Sequence, residues 1–248
     1  MQKYTLKEHF LELKARIVKI IIFFIIASGI SYWFSDLIYL FLLDPLVSLS
    51  ESGLRKVIYT GLTEAFVTYI KLALFAGFIM TTPIMSWQIY FFLSPGLHKR
   101  EKKIVAFSLF LSPMLFLLGG FFLYYVILPK AWAFFLSFEN TTHQVPLLLE
   151  ARISEYLSLV LQLIIAFGLA FQMPIIMIIL TLLGIISSAG LVKRRRVSIV
   201  INFIIAAIFT PPDVLSQLGL ALPLLLLYEI SIILCKFVEN RGSEDARH

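Results

Sequence analysis

The sequence predicts an all-α polytopic membrane protein with six transmembrane helices, both termini cytoplasmic and spans five and six short. Three observations carry this. Hydrophobic residues make up 60% of the 248 and charged residues 15%, whereas a soluble domain is about half apolar and a quarter charged. Runs of about 20 apolar residues follow one another, each long enough to cross a hydrocarbon core of about 30 Å. Most cations sit in the gaps between the runs, and 16 of the 21 Lys and Arg fall on one side against four on the other. Cationic loops mark the cytoplasmic side. The runs are continuous rather than alternating, which excludes a β-barrel. Residues 1–248 read as a single integral membrane domain: a cytoplasmic lead 1–16, a six-span bundle 17–235 and a cytoplasmic tail 236–248.

The net charge of +6 is topology information and not a nucleic-acid footprint, because the cations lie between spans. The one cysteine, Cys235, lies in an apolar run, so neither a disulfide framework nor a metal site follows from it. A cleaved signal peptide is not expected. The polar lead carries Glu8 and Glu12, and no small-x-small site follows the first span.

Residues 1–16, MQKYTLKEHFLELKAR, form an amphipathic lead. Thr5 and Glu8 have the capping-box spacing, so a helix is expected to start near Thr5. Leu6, Phe10, Leu13 and Ile17 share one face, and Glu8 and Glu12 share another. An interfacial helix with a solvated charged face explains the same pattern. Span one covers Ile17 to Phe34 and ends in Tyr32 and Trp33, aromatics suited to an interface. Ser35 to Thr63 reads as a loop with turn signals at Asp44-Pro45 and Glu51-Ser52-Gly53. Its Leu37–Leu43 portion is too short to span and lies on the membrane or caps the bundle.

Span two covers Glu64 to Leu93, with Pro83 inside and Lys71 two turns in. Snorkelling is the preferred reading of Lys71 over a groove-facing one. Ser94 to Lys103, SPGLHKREKK, then interrupts almost continuous apolar sequence, and Glu101 is its lone acid. Span three is Ile104 to Leu128, followed by a loop from Pro129 to Ile153. Span four is Ser154 to Leu183, with an N-cap-like start and Gln172 before Pro174. Ile185 to Arg196 is a basic loop. Span five, Val197 to Phe209, has 13 residues, about 20 Å as a helix. Thr210-Pro211-Pro212-Asp213 is a tight turn, and span six runs from Val214 to about Leu234. So short a fifth span thins the bilayer or recruits a neighbour.

Polar groups in the spans are functional candidates, because burying them unpaired in lipid is costly. They are Glu64, Gln172, Asn202 and Glu229. For Gln172 an interhelical hydrogen bond and a functional role both stand, and for Glu229 a structural pairing and a functional role both stand. No HExxH, GxSxG, Walker A or Ser/His constellation is present, which argues against an enzyme or a nucleotide hydrolase. No cofactor is expected.

HFLELKAR near the N-terminus, FFLSPGLHKREKK after span two, FGLAFQMP in span four, FTPPDVLSQ between spans five and six and PLLLLYEIS in span six resemble the TatC family. These are the multi-spanning subunits of the twin-arginine protein translocase. The resemblance runs in order over essentially the whole chain. It implies Sec-independent export of folded proteins, with a receptor that binds Arg-Arg signal peptides at the cytoplasmic face of the inner membrane. It further implies TatA-like and TatB-like single-span partners, self-association within the lipid bilayer and transport driven by the proton-motive force. The family's signal-recognition carboxylates fall on Glu12 and Glu101, with Phe92, Lys14 and Pro95 in the matching motifs. Pro45, Gln172 and Asp213 match the family's structural and transport positions, and Glu229 lies in the span-six motif as a further candidate; apart from the resemblance, the short spans lead to the expectation of partner docking beside span five at Asn202 and Phe203.

The chemistry agrees, because a guanidinium fork suits a carboxylate and two arginines call for more than one acid. The basic surround of Glu101 is read as holding it ionised and discouraging stray cations. Two departures stand out. Lys14 replaces the usual arginine of the ELR motif, keeping the charge but not the fork. Gln172 replaces the usual glutamate and cannot titrate. A secondary small-molecule transporter is the alternative, and it calls for an inverted repeat and a midplane site, neither of which is visible.

Overall fold

The structure is a computed structural model that describes residues 6–47, 58, 60–139, 152–210 and 214–245. These residues are helical throughout, apart from turns and one isolated bridge between Ile58 and Arg152. By length and composition four helical segments can cross a membrane: Glu64–Gly96, Glu101–Leu136, Ile153–Leu182 and Ser216–Asn240. A fifth is counted if Phe10–Tyr32 and Ser35–Val47, bent by 78°, are taken as one.

The lead and the first expected span form a single helix, α1 (Leu6–Tyr32, 27 residues). It contains no proline, and Glu12 and Arg16 pair one turn apart within it, so nothing separates an interfacial helix from a spanning one. Thr5, the expected cap, lies outside the described residues. A turn at Trp33-Phe34 leads into α2 (Ser35–Val47), where a loop was expected. Asp36 in its first turn favours helix initiation. Pro45 sits in its last turn rather than in a loop.

α3 (Glu64–Leu93) is followed by a 3₁₀ turn, Ser94–Gly96, and by α4 (Lys99–Phe122). Pro129 does not end this span as expected. A π turn over Leu123–Ile127 precedes it, with the Leu128 N–H donating to Leu123 O. That wider turn absorbs the hydrogen bond that proline cannot make. Pro129 then occupies the first turn of α5 (Leu128–Leu136), where a missing N–H costs least.

The fourth expected span is two helices, α6 (Ile153–Ala170) and α7 (Met173–Leu182). Pro174 cannot donate to Ala170, and the chain tightens so that Gln172 N–H bonds Leu169 O at 3.0 Å. α7 ends in a Schellman motif. Gly184 has φ 71°, its N–H donates to Thr181 O, and the Ile185 N–H reaches Leu180 O, both at 3.0 Å. α8 (Ser188–Lys193) lies within the expected basic loop. α9 (Arg195–Phe209) has 15 residues and is short, as expected. α10 (Val214–Asp245) is not short: its helix runs 32 residues, past the apolar stretch into the polar tail.

The chain forms two compact units. In the first (Met1–Asp44, Arg55–Pro113, Glu150–Leu157), α1 lies on α3 through small residues. A methyl group built on Gly77 would stand 2.2 Å from Ser28 Oγ and 2.7 Å from Ser28 Cα. Lipid is as apolar as a protein core, so close backbone approach through small residues is what holds such helices together. Thr81 Oγ1 donates to Gly77 O at 2.7 Å, keeping that buried hydroxyl satisfied within its own helix.

In the second unit (Pro45–Leu54, Met114–Leu149, Ser158–His248), α4 and α6 interlock reciprocally. Gly119 packs under the Phe167 backbone, and Gly168 under the Phe116 ring. Tyr228 Oη donates to Leu191 O at 2.8 Å. Glu239 of α10 caps α8, accepting from the Ser188 N–H at 2.8 Å and from its hydroxyl. An apolar cavity of about 710 Å³ lies among α4, α5, α7 and α10, with Lys130 among its lining residues.

Candidate functional site

Glu12 and Glu101 both belong to the first unit. Glu12 lies on α1, one turn before Arg16. Arg16 Nε donates to Glu12 Oε1 at 3.1 Å, and Nη2 donates to the same oxygen. Across to α3, Arg16 Nη1 donates to Gln88 Oε1 at 3.3 Å, and its guanidinium lies 5.4 Å above the Phe91 ring. Phe91 stands edge-on to Trp87, with ring centroids 5.1 Å apart. Glu12 Oε2 accepts no hydrogen bond among the described residues.

Glu101 lies in the first turn of α4. Its Oε2 accepts from the His98 backbone N–H at 2.7 Å and lies 3.2 Å from His98 Nδ1. This is the reach-back half of a capping box, satisfying an N–H that the helix start leaves open. The three-residue spacing from His98 to Glu101 therefore fixes the carboxylate locally. Its Oε1, like Glu12 Oε2, has no hydrogen-bond partner among the described residues. Among the described residues each acid has one oxygen held by its own helix and one without a hydrogen-bond partner. Two such groups suit a ligand carrying two guanidinium forks.

Among the described residues no three His, Cys, Asp or Glu side chains are placed to hold a metal ion.

A family profile described as Sec-independent protein translocase protein (TatC) matches residues 8–223. The Sec-independent protein translocase protein TatC of Rickettsia prowazekii (strain Madrid E) is 58% identical over 240 residues, covering 97% of this chain and 96% of that one. The chain belongs to the TatC family. The TatC protein of Aquifex aeolicus (strain VF5) is 38% identical over 239 residues, covering 96% of this chain and 98% of its own. A crystal structure of the twin-arginine translocase receptor TatC in DDM matches with a TM-score of 0.80 and 38% identity, over 92% of this chain and 99% of that chain. This TatC is thus a multi-pass membrane protein and a protein translocase subunit, not an enzyme.

Within this TatC chain the other sequence-predicted residues fall as follows. Lys14 and Pro95 are exposed, and Phe92 is partly exposed. The Arg16 guanidinium of the Glu12 pair lies over Phe91, the residue before Phe92. One residue along a helix turns a side chain by about 100°. Pro45 is buried at the end of α2. Gln172 precedes α7 as its N-cap residue, at the break in the fourth span. Glu229 pairs with Arg195 at 2.7 Å, and both side chains are about half exposed. Asp213 lies outside the described residues.

Asn202 requires a correction. It is 2% exposed, so its side chain offers no docking surface beside α9. Phe203 is partly exposed. The outward stripe of α9 is Val200, Ile204 and Ile208, each more than half exposed.

Sequence reasoning missed Arg16, Gln88 and Phe91. The four-residue spacing from Glu12 to Arg16 was a usable signal. Nothing local pointed to Gln88, which is 72 residues away from Arg16.

Proposed function

We propose that this chain is the receptor subunit that binds twin-arginine signal peptides of folded cargo. Binding takes place at the cytoplasmic face of the inner membrane, where both termini lie. Glu12 and Glu101 each take one arginine of the pair. The observation that carries this reading is the matched state of the two acids: each has one oxygen tied by its own helix and one without a hydrogen-bond partner among the described residues. A guanidinium needs such an oriented acceptor, and two oriented acceptors favour Arg-Arg over Lys-Lys, since an ammonium has no planar fork. The solved relative named as a twin-arginine translocase receptor supports the same assignment. Lys14, Pro95 and Phe92 border the site through their positions in the two motifs.

TatA-like and TatB-like single-span proteins pack on the outward stripe of α9, where a 15-residue helix leaves the bilayer mismatched. The proton-motive force drives transport. Gln172 contributes polarity at the broken span and carries no proton.

The test is photo-crosslinking of a labelled Arg-Arg signal peptide to the full chain in membranes. Glu101→Ala and Glu12→Gln each abolish or strongly reduce the adduct while the protein remains folded. Wild-type crosslinking in both variants overturns the site.

A further inference from the structure

We infer that Arg16 is a positioning residue for signal recognition: it orients Glu12 so that the open oxygen receives the incoming arginine. This rests on the reading of Glu12 given above.

An ordinary Glu–Arg pair one turn apart on a helix is solvated, weak and free to change rotamer. The pair on α1 is different. The Arg16 side chain is 19% exposed and that of Glu12 26%. Two of its nitrogens converge on one carboxylate oxygen, Oε1. The third, Nη1, is held by Gln88 from α3, and the flat face of the guanidinium lies over Phe91. The guanidinium is therefore fixed by groups from two helices, and it in turn fixes Glu12.

The choice of oxygen decides the role. Arg16 takes Oε1 twice and leaves Oε2 without a partner among the described residues. A competitor holding the place of the ligand would fork across both oxygens, because that is the favoured carboxylate geometry. Here the ligand arginine adds to a carboxylate already held in place and displaces nothing. Glu12 then bridges two guanidinium groups, one from the receptor and one from the peptide.

This assignment has an unusual sign. Removing a cation next to a site for a cationic ligand should tighten binding by simple Coulomb attraction. If Arg16 positions Glu12, its removal weakens binding instead, because a mobile carboxylate loses its aim. It also erodes the preference for Arg-Arg over Lys-Lys, since an ammonium needs no oriented acceptor.

The experiment measures binding of fluorescent Arg-Arg and Lys-Lys signal peptides to the full chain in lipid nanodiscs, for wild type, Arg16→Met, Arg16→Lys, Gln88→Leu and Glu12→Gln. Arg16→Met lowers Arg-Arg affinity roughly tenfold, the scale of one misplaced charge-assisted hydrogen bond, and shrinks the Arg-Arg to Lys-Lys ratio. Arg16→Lys restores only part of either. Gln88→Leu, which changes no charge, shifts the ratio in the same direction by a smaller factor. It also serves as the test if Arg16→Met does not fold. If Glu12→Gln weakens binding while Arg16→Met and Gln88→Leu leave affinity and ratio unchanged, or if Arg16→Met tightens binding, the positioning role is overturned. If Glu12→Gln itself leaves binding intact, the reading of Glu12 as a signal carboxylate fails first.

Discussion

Glu64, the first residue of α3, accepts hydrogen bonds from both the backbone N–H (3.2 Å) and the hydroxyl (2.7 Å) of Ser154, 90 residues further along the chain. Its other oxygen accepts from the N–H groups of Thr60 at 2.8 Å and Gly61 at 3.1 Å. One carboxylate thus ties the start of α3 to the start of α6 and closes the turn before α3. Arg152 reinforces the junction through Thr60 and through Glu155.

Glu64→Ala leaves the donors of Thr60, Gly61 and Ser154 without their acceptor, and its thermal unfolding midpoint in detergent falls below that of wild type. Glu64→Gln retains an acceptor oxygen and falls less. Equal midpoints for all three proteins would show that the junction does not contribute to stability.

Gly77 and Ser28 set the spacing of α1 on α3. A Cβ at 77 meets Ser28 backbone atoms at 2.7 Å as well as its hydroxyl, and backbone cannot rotate away. Gly77→Ala is expected to cost about 1–3 kcal/mol, the usual range for overpacking. Ser28→Gly removes the hydroxyl but not the backbone clash, so it does not rescue Gly77→Ala. Denaturant or thermal unfolding of the single and double variants checks both statements.

The two carboxylates are proposed to read one arginine each. A peptide whose Arg-Arg pair is reduced to a single arginine should therefore lose affinity against wild type, and lose much less against Glu101→Gln or Glu12→Gln. Titration of the peptide series against each variant forms a double-mutant cycle. Strictly additive losses would refute the pairing of acids with arginines.

Partner docking is proposed for the outward stripe of α9. Cysteines at Val200, Ile204 or Ile208 should crosslink to a single-span partner carrying a matching cysteine. One at Asn202, buried in the second unit, should not. Efficient crosslinking from 202 and none from 204 would place the partner elsewhere.

How much of this was legible beforehand differs from element to element. Local sequence determined the class of fold, because unbroken apolar runs permit only helices in lipid. Single residues set some helix ends, although the expected bounds of α5, α7 and α10 differ from those observed. Gly184 supplies the left-handed residue that ends α7, and Pro174 forces the break at Gln172. Local sequence also singled out Glu101, whose hold on His98 is a three-residue capping contact. What local sequence left open was direction around each helix. In a soluble protein the polar face of a helix announces its outer side. Here lipid and core are equally apolar, so the apolar residues of a helix do not announce which of its faces turns inward. Tertiary packing decided those questions. It laid Gln88 and Phe91 of α3 against Arg16 of α1, and so turned an unremarkable pair one helical turn apart into a fixed carboxylate with one oxygen open.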